Sequence, residues 1–329
     1  MRDSLEIIKD VDEKFNELKN STPKYFEDIK DIKNHFIEIS RVYYALAAMS
    51  RRKVLETTTR DAAYDRLFSF RSLLEKRIHE SLDLYPSPLK LIKLITSKSF
   101  FGGSIKQGVS IRYPLSTCIP TQTCGGRCYA HDGRDRDYDR LFRGVLNGFV
   151  GIYYEANLNE RKTIFNLLNS EINLAIKKCK EEAQLAQKEG YTRIPRIRFS
   201  HVGELTATPN FTNDLAREIK RRAPDVSCVI YTRHPKAHNL DEDLFVINFT
   251  IEGASDKRID YLPSKARLVS SSWDGEIFDK AEINFLEHHV EKIHIAQKNG
   301  NICPVTLNHK IITTCDSARC EKCFVSKQL

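Results

Sequence analysis

The sequence predicts an α/β fold, a partial or full (β/α) barrel with parallel strands, preceded by an N-terminal helical region. Three observations predict it. Short apolar runs alternate with helical stretches from about residue 190 onward, the pattern of parallel strands joined by crossover helices. The first 95 or so residues carry apolar positions at spacings of three and four instead. Seven cysteines stand in two clumps that flank the alternating region. Barrels gather their reactive groups at the carboxyl ends of strands, which favours a barrel over an open sheet here.

In chain order, the segment YFEDIKDIKNHFIEISRVYYALAAMSRR sets Phe26, Ile29, Ile32, Phe36, Ile39, Val42 and Leu46 on one helical face. DAAYDRLFSFRSLLEKRIHESL repeats the pattern with Leu67, Phe70, Leu73, Leu74 and Ile78, and Tyr85-Pro86-Ser87-Pro88 stops it. Residues 1–98 read as a helical bundle or arm. Phe101-Gly102-Gly103-Ser104 reads as a linker. A cysteine-containing loop broken by Pro114, Pro120, Gly125 and Gly126 follows, then one long helical stretch over about 138–189 that ends at Gly190. The expected strands are Arg196–Ser200, Ser227–Tyr231, Leu244–Phe249, Arg267–Ser270 and Lys292–Ala296, with helices over NFTNDLAREIKRRA and EIFDKAEINFLEHHV between them. Residues 99–300 thus form the α/β region and 301–329 a C-terminal four-cysteine segment.

Composition bounds the function classes. The chain has 329 residues, 41% of them hydrophobic, enough for a sizeable core. No run of about 18 apolar residues predicts a membrane span. The start, MRDSLEIIKDVDEKF, lacks the apolar centre of a secretory signal, so the nine cysteines are expected in a reducing, cytoplasmic compartment, where metal binding outweighs disulfides. The net charge of +8 and Arg51-Arg52-Lys53 fit either a solvated helix face or contact with nucleic acid through the N-terminal helices. P-loop, G-x-G-x-x-G, H-E-x-x-H and G-x-S-x-G patterns are missing, which leaves hydrolase readings without support.

The chemistry sits in three places. Cys118, Cys124 and Cys128 form C-x5-C-x3-C, followed by Tyr129-Ala130. Three thiolates suit a [4Fe–4S] cluster with one iron open, or zinc with His131 as fourth ligand. Cys303, Cys315, Cys320 and Cys323 make a four-thiolate set, with His309 a spare ligand; zinc and a closed [4Fe–4S] cluster both satisfy it. Cys179 and Cys228 fall within a helix and a strand and read as small core residues. The third place is Ser200-His201-Val202-Gly203-Glu204, a polar turn at the end of the strand RIRFS, where α/β folds bind ligands. Glu204 is suited to an ammonium group, and Gly203 to close approach of the backbone. Tyr231-Thr232-Arg233-His234, Thr250 with Glu252, Ser270-Ser271-Ser272-Trp273-Asp274 and Gln297-Lys298 end later strands and would line the same mouth.

Two resemblances follow from these residues. Gly108-Val109-Ser110, the three-cysteine loop ending in Cys128-Tyr129-Ala130, Arg143 and Asn147, with Cys303-Pro304 and Cys320-x2-Cys323-Phe324, resemble a phage and plasmid "gene product" family of undefined function. More widely, the three-cysteine loop and the Gly203-Glu204 turn resemble radical S-adenosylmethionine enzymes. That family's usual spacing is C-x3-C-x2-C, and here Val202 stands where its turn has a first glycine. The wider resemblance implies a partial barrel in which Cys118, Cys124 and Cys128 hold a [4Fe–4S] cluster. It also implies that Gly203 and Glu204 contact the amino group of S-adenosylmethionine, that Tyr129 lies beside the cluster, and that the C-terminal cysteines hold a second cluster. The expected function is reductive cleavage of S-adenosylmethionine and hydrogen abstraction from an unknown substrate, with a separate electron donor. The alternatives are a zinc-stabilised nucleic-acid-binding protein of a phage or mobile element, and a non-catalytic barrel with structural metal.

Overall fold

The computed structural model describes residues 4–21, 57–83, 87–96, 100–104, 108–119, 138–251, 257–272, 279–286 and 322–324, with Asn34, Ile37, Glu38 and Arg41. Two compact units share the chain. One comprises Met1–Ile95, Arg112–Tyr153 and Val202–Glu204; the other comprises Thr96–Ile111, Tyr154–His201 and Leu205–Leu329.

The first unit is helical. It holds α1 (Ser4–Ser21), α2 (Thr57–Asp83), nearly all of α3 (Pro88–Thr96), a 3-10 turn at Leu115–Thr117 and most of α4 (Tyr138–Ala156). The expected helical character of the N-terminal region holds for these segments; most of YFEDIKDIKNHFIEISRVYYALAAMSRR, and Arg51-Arg52-Lys53, lie outside the described residues. α2 buries Ala63, Phe70, Leu74 and Ile78, a stripe at helical spacing, and each large apolar side chain withdrawn from water contributes about 1.5–3 kcal/mol. Beside that stripe runs a second buried row, Arg71, Glu75 and His79, one helical turn apart from each other. An ion pair between Arg66 and Asp12 at 2.6 Å joins α2 to α1 at the surface.

The second unit is built on a sheet of seven strands in the order β1-β2-β3-β4-β5-β6-β7. They are β1 (Phe101–Ser104), β2 (Gly108–Arg112), β3 (Arg196–Val202), β4 (Ser227–Thr232), β5 (Phe245–Ile251), β6 (Arg267–Ser272) and β7 (Ile283–Leu286). β1 and β2 are antiparallel, and β3 through β7 are parallel. β4 and β5 are buried along nearly their whole length, which is why they read as continuous apolar runs rather than alternating ones. The expected α/β fold with parallel strands holds, and of the partial or full barrel the full one is not formed: among the described residues the sheet is open, with no pairing of β7 to β1. The helices α5 (Arg161–Lys188) and α6 (Pro209–Arg222) bury Ile164, Leu168, Ile172 and Cys179, and Phe211, Leu215 and Ile219. Tyr154, Phe165 and Phe211 meet edge-on or stacked, with centroids 5.3–6.3 Å apart.

Three expectations need correction. Phe101–Ser104 is a strand rather than a linker: Phe101 is buried and pairs with Ile111, and Gly102 and Gly103 pair with Ser110 and Val109. The stretch 138–189 is two helices, α4 and α5, parted at Asn157 (φ −120°, ψ 76°) and a short 3-10 turn. Arg161 fastens the break, its Nε donating to the Tyr154 carbonyl at 3.3 Å and its guanidinium lying 4.6 Å from the centre of the Tyr154 ring. Finally, Ile283–Leu286, read as part of a helix, is β7; Asn284 is in register with Ser270, whose hydroxyl donates to Asn284 Oδ1 at 2.6 Å. Tertiary pairing overrides the helical spacing there. The strand expected at Lys292–Ala296 lies outside the described residues.

Candidate functional site

The site in the first unit starts with the chain leaving β2. Tyr113 N–H donates to the Val202 carbonyl at 2.7 Å, so the two chain segments run together. Pro114 (φ −68°, ψ 146°) then turns the chain into the 3-10 turn, which ends at Cys118 (φ −72°, ψ 147°). Thr117 N–H and Cys118 N–H donate to the Pro114 and Leu115 carbonyls at 3.2 and 2.9 Å. The Thr117 hydroxyl donates to the Pro114 carbonyl at 2.6 Å. Asn147 of α4 donates through Nδ2 to the Arg112 carbonyl at 3.0 Å, which ties α4 to the same strand end.

The Val202-Gly203-Glu204 turn closes on this segment. Gly203 has φ +74°, and a Cβ there would lie 2.4 Å from the Tyr113 oxygen and 2.5 Å from the Pro114 oxygen. Only glycine permits both that backbone conformation and that approach. Glu204 N–H donates to Thr117 Oγ1 at 2.9 Å, and Glu204 is buried, with 7% of its surface exposed. Cys118 is half-buried and packs with Phe68 against Leu115 and Val202. Two of the sequence-predicted elements, separated by more than 80 residues, are therefore in direct contact: the turn that carries Cys118 and the turn that carries Glu204.

Sequence reasoning missed the groups beneath them. Glu75 of α2 accepts from Ser116 N–H through Oε2 at 2.7 Å, and from Arg71 Nε through Oε1 at 2.7 Å. Burial pushes the Glu75 carboxyl above the usual carboxylate range, against the opposing pull of Arg71 and Ser116. His79 is hydrogen-bonded through Nε2 to the Val145 carbonyl at 3.0 Å, and burial lowers its pKa to about 4, so its ring is neutral at pH 7. The one signal was the repeat Arg71-x3-Glu75-x3-His79, which equally describes an exposed helix face.

In the second unit the strand ends serve their own loops. Ser200 is held at φ +63°, rare for a residue with a side chain, and its hydroxyl accepts from Leu205 N–H at 2.8 Å. Thr232 Oγ1 accepts from Thr206 Oγ1 and from His234 N–H, both at 3.0 Å. His234 Nδ1 in turn accepts from Lys236 N–H at 3.1 Å, and burial lowers the His234 pKa to about 4. Thr250 is half-buried on β5. Glu252, Trp273, Asp274, Gln297 and Lys298 lie outside the described residues.

Of the C-terminal set, Cys323 is described. It sits in the 3-10 turn Lys322–Phe324, buried among Val229, Val246, Val269 and Ile283 of the parallel strands. Asn248 Nδ2 donates to its carbonyl at 3.0 Å, Ser227 Oγ donates to the Phe324 carbonyl at 2.8 Å, and the Arg196 guanidinium lies 3.7 Å from the centre of the Phe324 ring. The C-terminal turn is thus strapped to one face of the sheet. Cys179 and Cys228 are core thiols as expected, each pushed by burial to about 12 and therefore protonated at pH 7.

Cys118 is half-buried and directly follows the hydrogen-bonded 3-10 turn. Cys124, Cys128, Tyr129, His131, Cys303, His309, Cys315 and Cys320 lie outside the described residues. Among the described residues no three His, Cys, Asp or Glu side chains converge as a metal site, and no helix is long and apolar enough to cross a membrane. The chain matches no family model, no curated protein and no solved structure.

Proposed function

We propose that the chain is an iron–sulfur enzyme that uses S-adenosylmethionine, on a partial (β/α) barrel resembling that of radical S-adenosylmethionine enzymes. The observation that carries the reading is the clamp of the Gly203-Glu204 turn onto the Pro114–Cys118 turn. A three-thiolate centre and an ammonium-binding carboxylate are useful together only if they meet on one ligand, and these two turns are in contact. The order of β3 to β7, each strand beside its predecessor, also fits a wall that winds in one direction, as in a barrel, rather than a doubly wound sheet.

In this reading Cys118, Cys124 and Cys128 hold a [4Fe–4S] cluster, and Cys303, Cys315, Cys320 and Cys323 hold a second, closed [4Fe–4S] cluster. The first cluster, when bound, supplies the electron that cleaves S-adenosylmethionine to a radical able to abstract hydrogen from a substrate. The chain's own residues do the rest. Thr117 fixes the backbone of Glu204, Gly203 lets that backbone come within reach of the cysteine turn, and the Glu204 carboxylate receives the ligand's ammonium group. Leu115 and Val202 give Cys118 an apolar neighbour on one side.

The test is iron and acid-labile sulfide analysis of protein purified without oxygen, for the natural chain and for Cys118→Ala. Brown protein with iron and sulfide, and a Cys118→Ala variant that loses about half of both, is the expected result on a count of two clusters. Zinc in colourless protein, or a full iron complement in Cys118→Ala, would overturn the reading.

A further inference from the structure

Glu75 belongs to a helix that the sequence places outside the resemblance, yet its carboxylate spans two tasks. One oxygen holds Arg71 and the other holds the Ser116 amide, 41 residues away. A buried ion pair can satisfy itself with two-point contact; here one carboxylate oxygen is spent on a backbone N–H instead. That N–H lies within the 3-10 turn, one residue before Thr117 and two before Cys118. The Thr117 hydroxyl in turn accepts from Glu204 N–H. The chain of contacts is continuous: Arg71 to Glu75, Glu75 to Ser116, then Thr117 to Glu204, with Cys118 closing the same turn. All of these residues belong to one compact unit.

We propose that Glu75 is a positioning residue of this site: it sets the Pro114–Cys118 turn from which the Cys118 thiolate and the Glu204 backbone both take their places. The helical N-terminal region is then a working wall of the site and not an accessory arm. The inference rests on the reading of Cys118 as a metal ligand and Glu204 as an ammonium ligand, but its geometry does not depend on the metal.

Simple removal of Glu75 would strand Arg71 in the interior and risk the fold. The test therefore compares two double variants of the full-length protein, each without the buried charges: Arg71→Met with Glu75→Gln, and Arg71→Met with Glu75→Leu. Glutamine keeps an acceptor for Ser116 N–H and leucine does not. The first readout is the rate at which iodoacetamide modifies Cys118 in chelator-treated protein, followed on its peptide by mass spectrometry. Protection of Cys179 and Cys228, which are buried in the natural fold, reports that the second unit is folded, and an unchanged helical circular dichroism signal with cooperative thermal loss reports the first. The leucine variant is expected to label Cys118 roughly tenfold faster than the glutamine variant, the worth of one buried hydrogen bond. The second readout is the change in the electron paramagnetic resonance spectrum of reduced, iron-loaded protein on adding S-adenosylmethionine. The glutamine variant keeps this change and the leucine variant weakens or loses it. Equal Cys118 labelling in two folded variants would overturn the positioning role. Natural protein that binds no iron would overturn the functional reading instead, while the labelling comparison would still decide the role of Glu75.

Discussion

Gly203 offers a sharp test of the clamp, because a methyl group is enough to break it. In Gly203→Ala the new Cβ would lie 2.4 Å from one backbone oxygen and 2.5 Å from another. Neither is the end of a flexible side chain, so the turn itself must back away from Tyr113 and Pro114. Two hydrogen bonds depend on that approach, Tyr113 N–H to the Val202 carbonyl and Glu204 N–H to Thr117 Oγ1, each worth about 1 kcal/mol. The left-handed backbone at φ +74° adds about 1 kcal/mol for any residue with a Cβ. Alanine's smaller unfolded-state entropy returns about 0.5 kcal/mol. A net loss of about 2–3 kcal/mol is expected. Gly190 supplies the control. It has φ +82° where α5 ends, with Tyr191 N–H donating to the Ala186 carbonyl at 3.1 Å, and a Cβ there meets nothing within 4 Å. Gly190→Ala therefore carries the backbone term alone and should cost under about 1 kcal/mol. Urea unfolding followed by circular dichroism gives both values from midpoint and slope. If the two variants differ by less than about 0.5 kcal/mol, the turn is not held against Tyr113 and Pro114.

Two other outcomes are expected. His79 is neutral in the fold with a pKa of about 4, while an unfolded histidine binds its proton near 6.5. Its stabilising contribution is therefore complete above pH 6.5 and is lost as pH falls from there through 4. Between pH 7 and 5 the natural chain should lose about 2 kcal/mol more stability than His79→Gln; parallel losses would show that His79 takes up its proton in the fold as readily as in the unfolded chain. Separately, Asn248→Leu removes the donor to the Cys323 carbonyl and the partner of Arg267 Nη1 at 3.4 Å, both buried. A loss of about 2 kcal/mol and faster alkylation of Cys323 should follow; a variant of unchanged stability whose Cys323 stays protected would mean the C-terminal turn is held by apolar contact alone.

The parallel strands were legible because their residues are apolar and β-branched or aromatic, as in SCVIY and LFVINF, and because the helices between them keep helical spacing. β1 was not, since two adjacent glycines suggest a flexible link, and what makes them a strand is the partner Gly108–Arg112, not their own preference. β7 was misread because Ile283, Phe285 and Leu286 satisfy a helical pattern as easily as a strand, and only the neighbouring β6 decides. The Gly203-Glu204 turn was legible from its place at a strand's carboxyl end. Its docking partner was not, because pattern gives no distance between segments far apart in the chain.

The least legible part of the site is the most informative about how it is held. Arg71, Glu75 and His79 follow each other at intervals of four, the arrangement of a solvated, charge-decorated helix face. In the fold the same row is buried beside the apolar stripe of α2, so this helix is covered over a much wider arc than its hydrophobic residues alone suggest. Taking those groups out of water is costly, and each is met by a specific partner: Arg71 by Glu75, Glu75 by the Ser116 amide, His79 by the Val145 carbonyl. Apolar contact would bury α2 just as well but would tolerate sliding along or turning about the helix axis, because it has no direction. Hydrogen bonds to one particular amide and one particular carbonyl fix both movements. What the buried polar row contributes is register, and the segment whose register Glu75 sets is the one that presents Cys118 and holds Glu204.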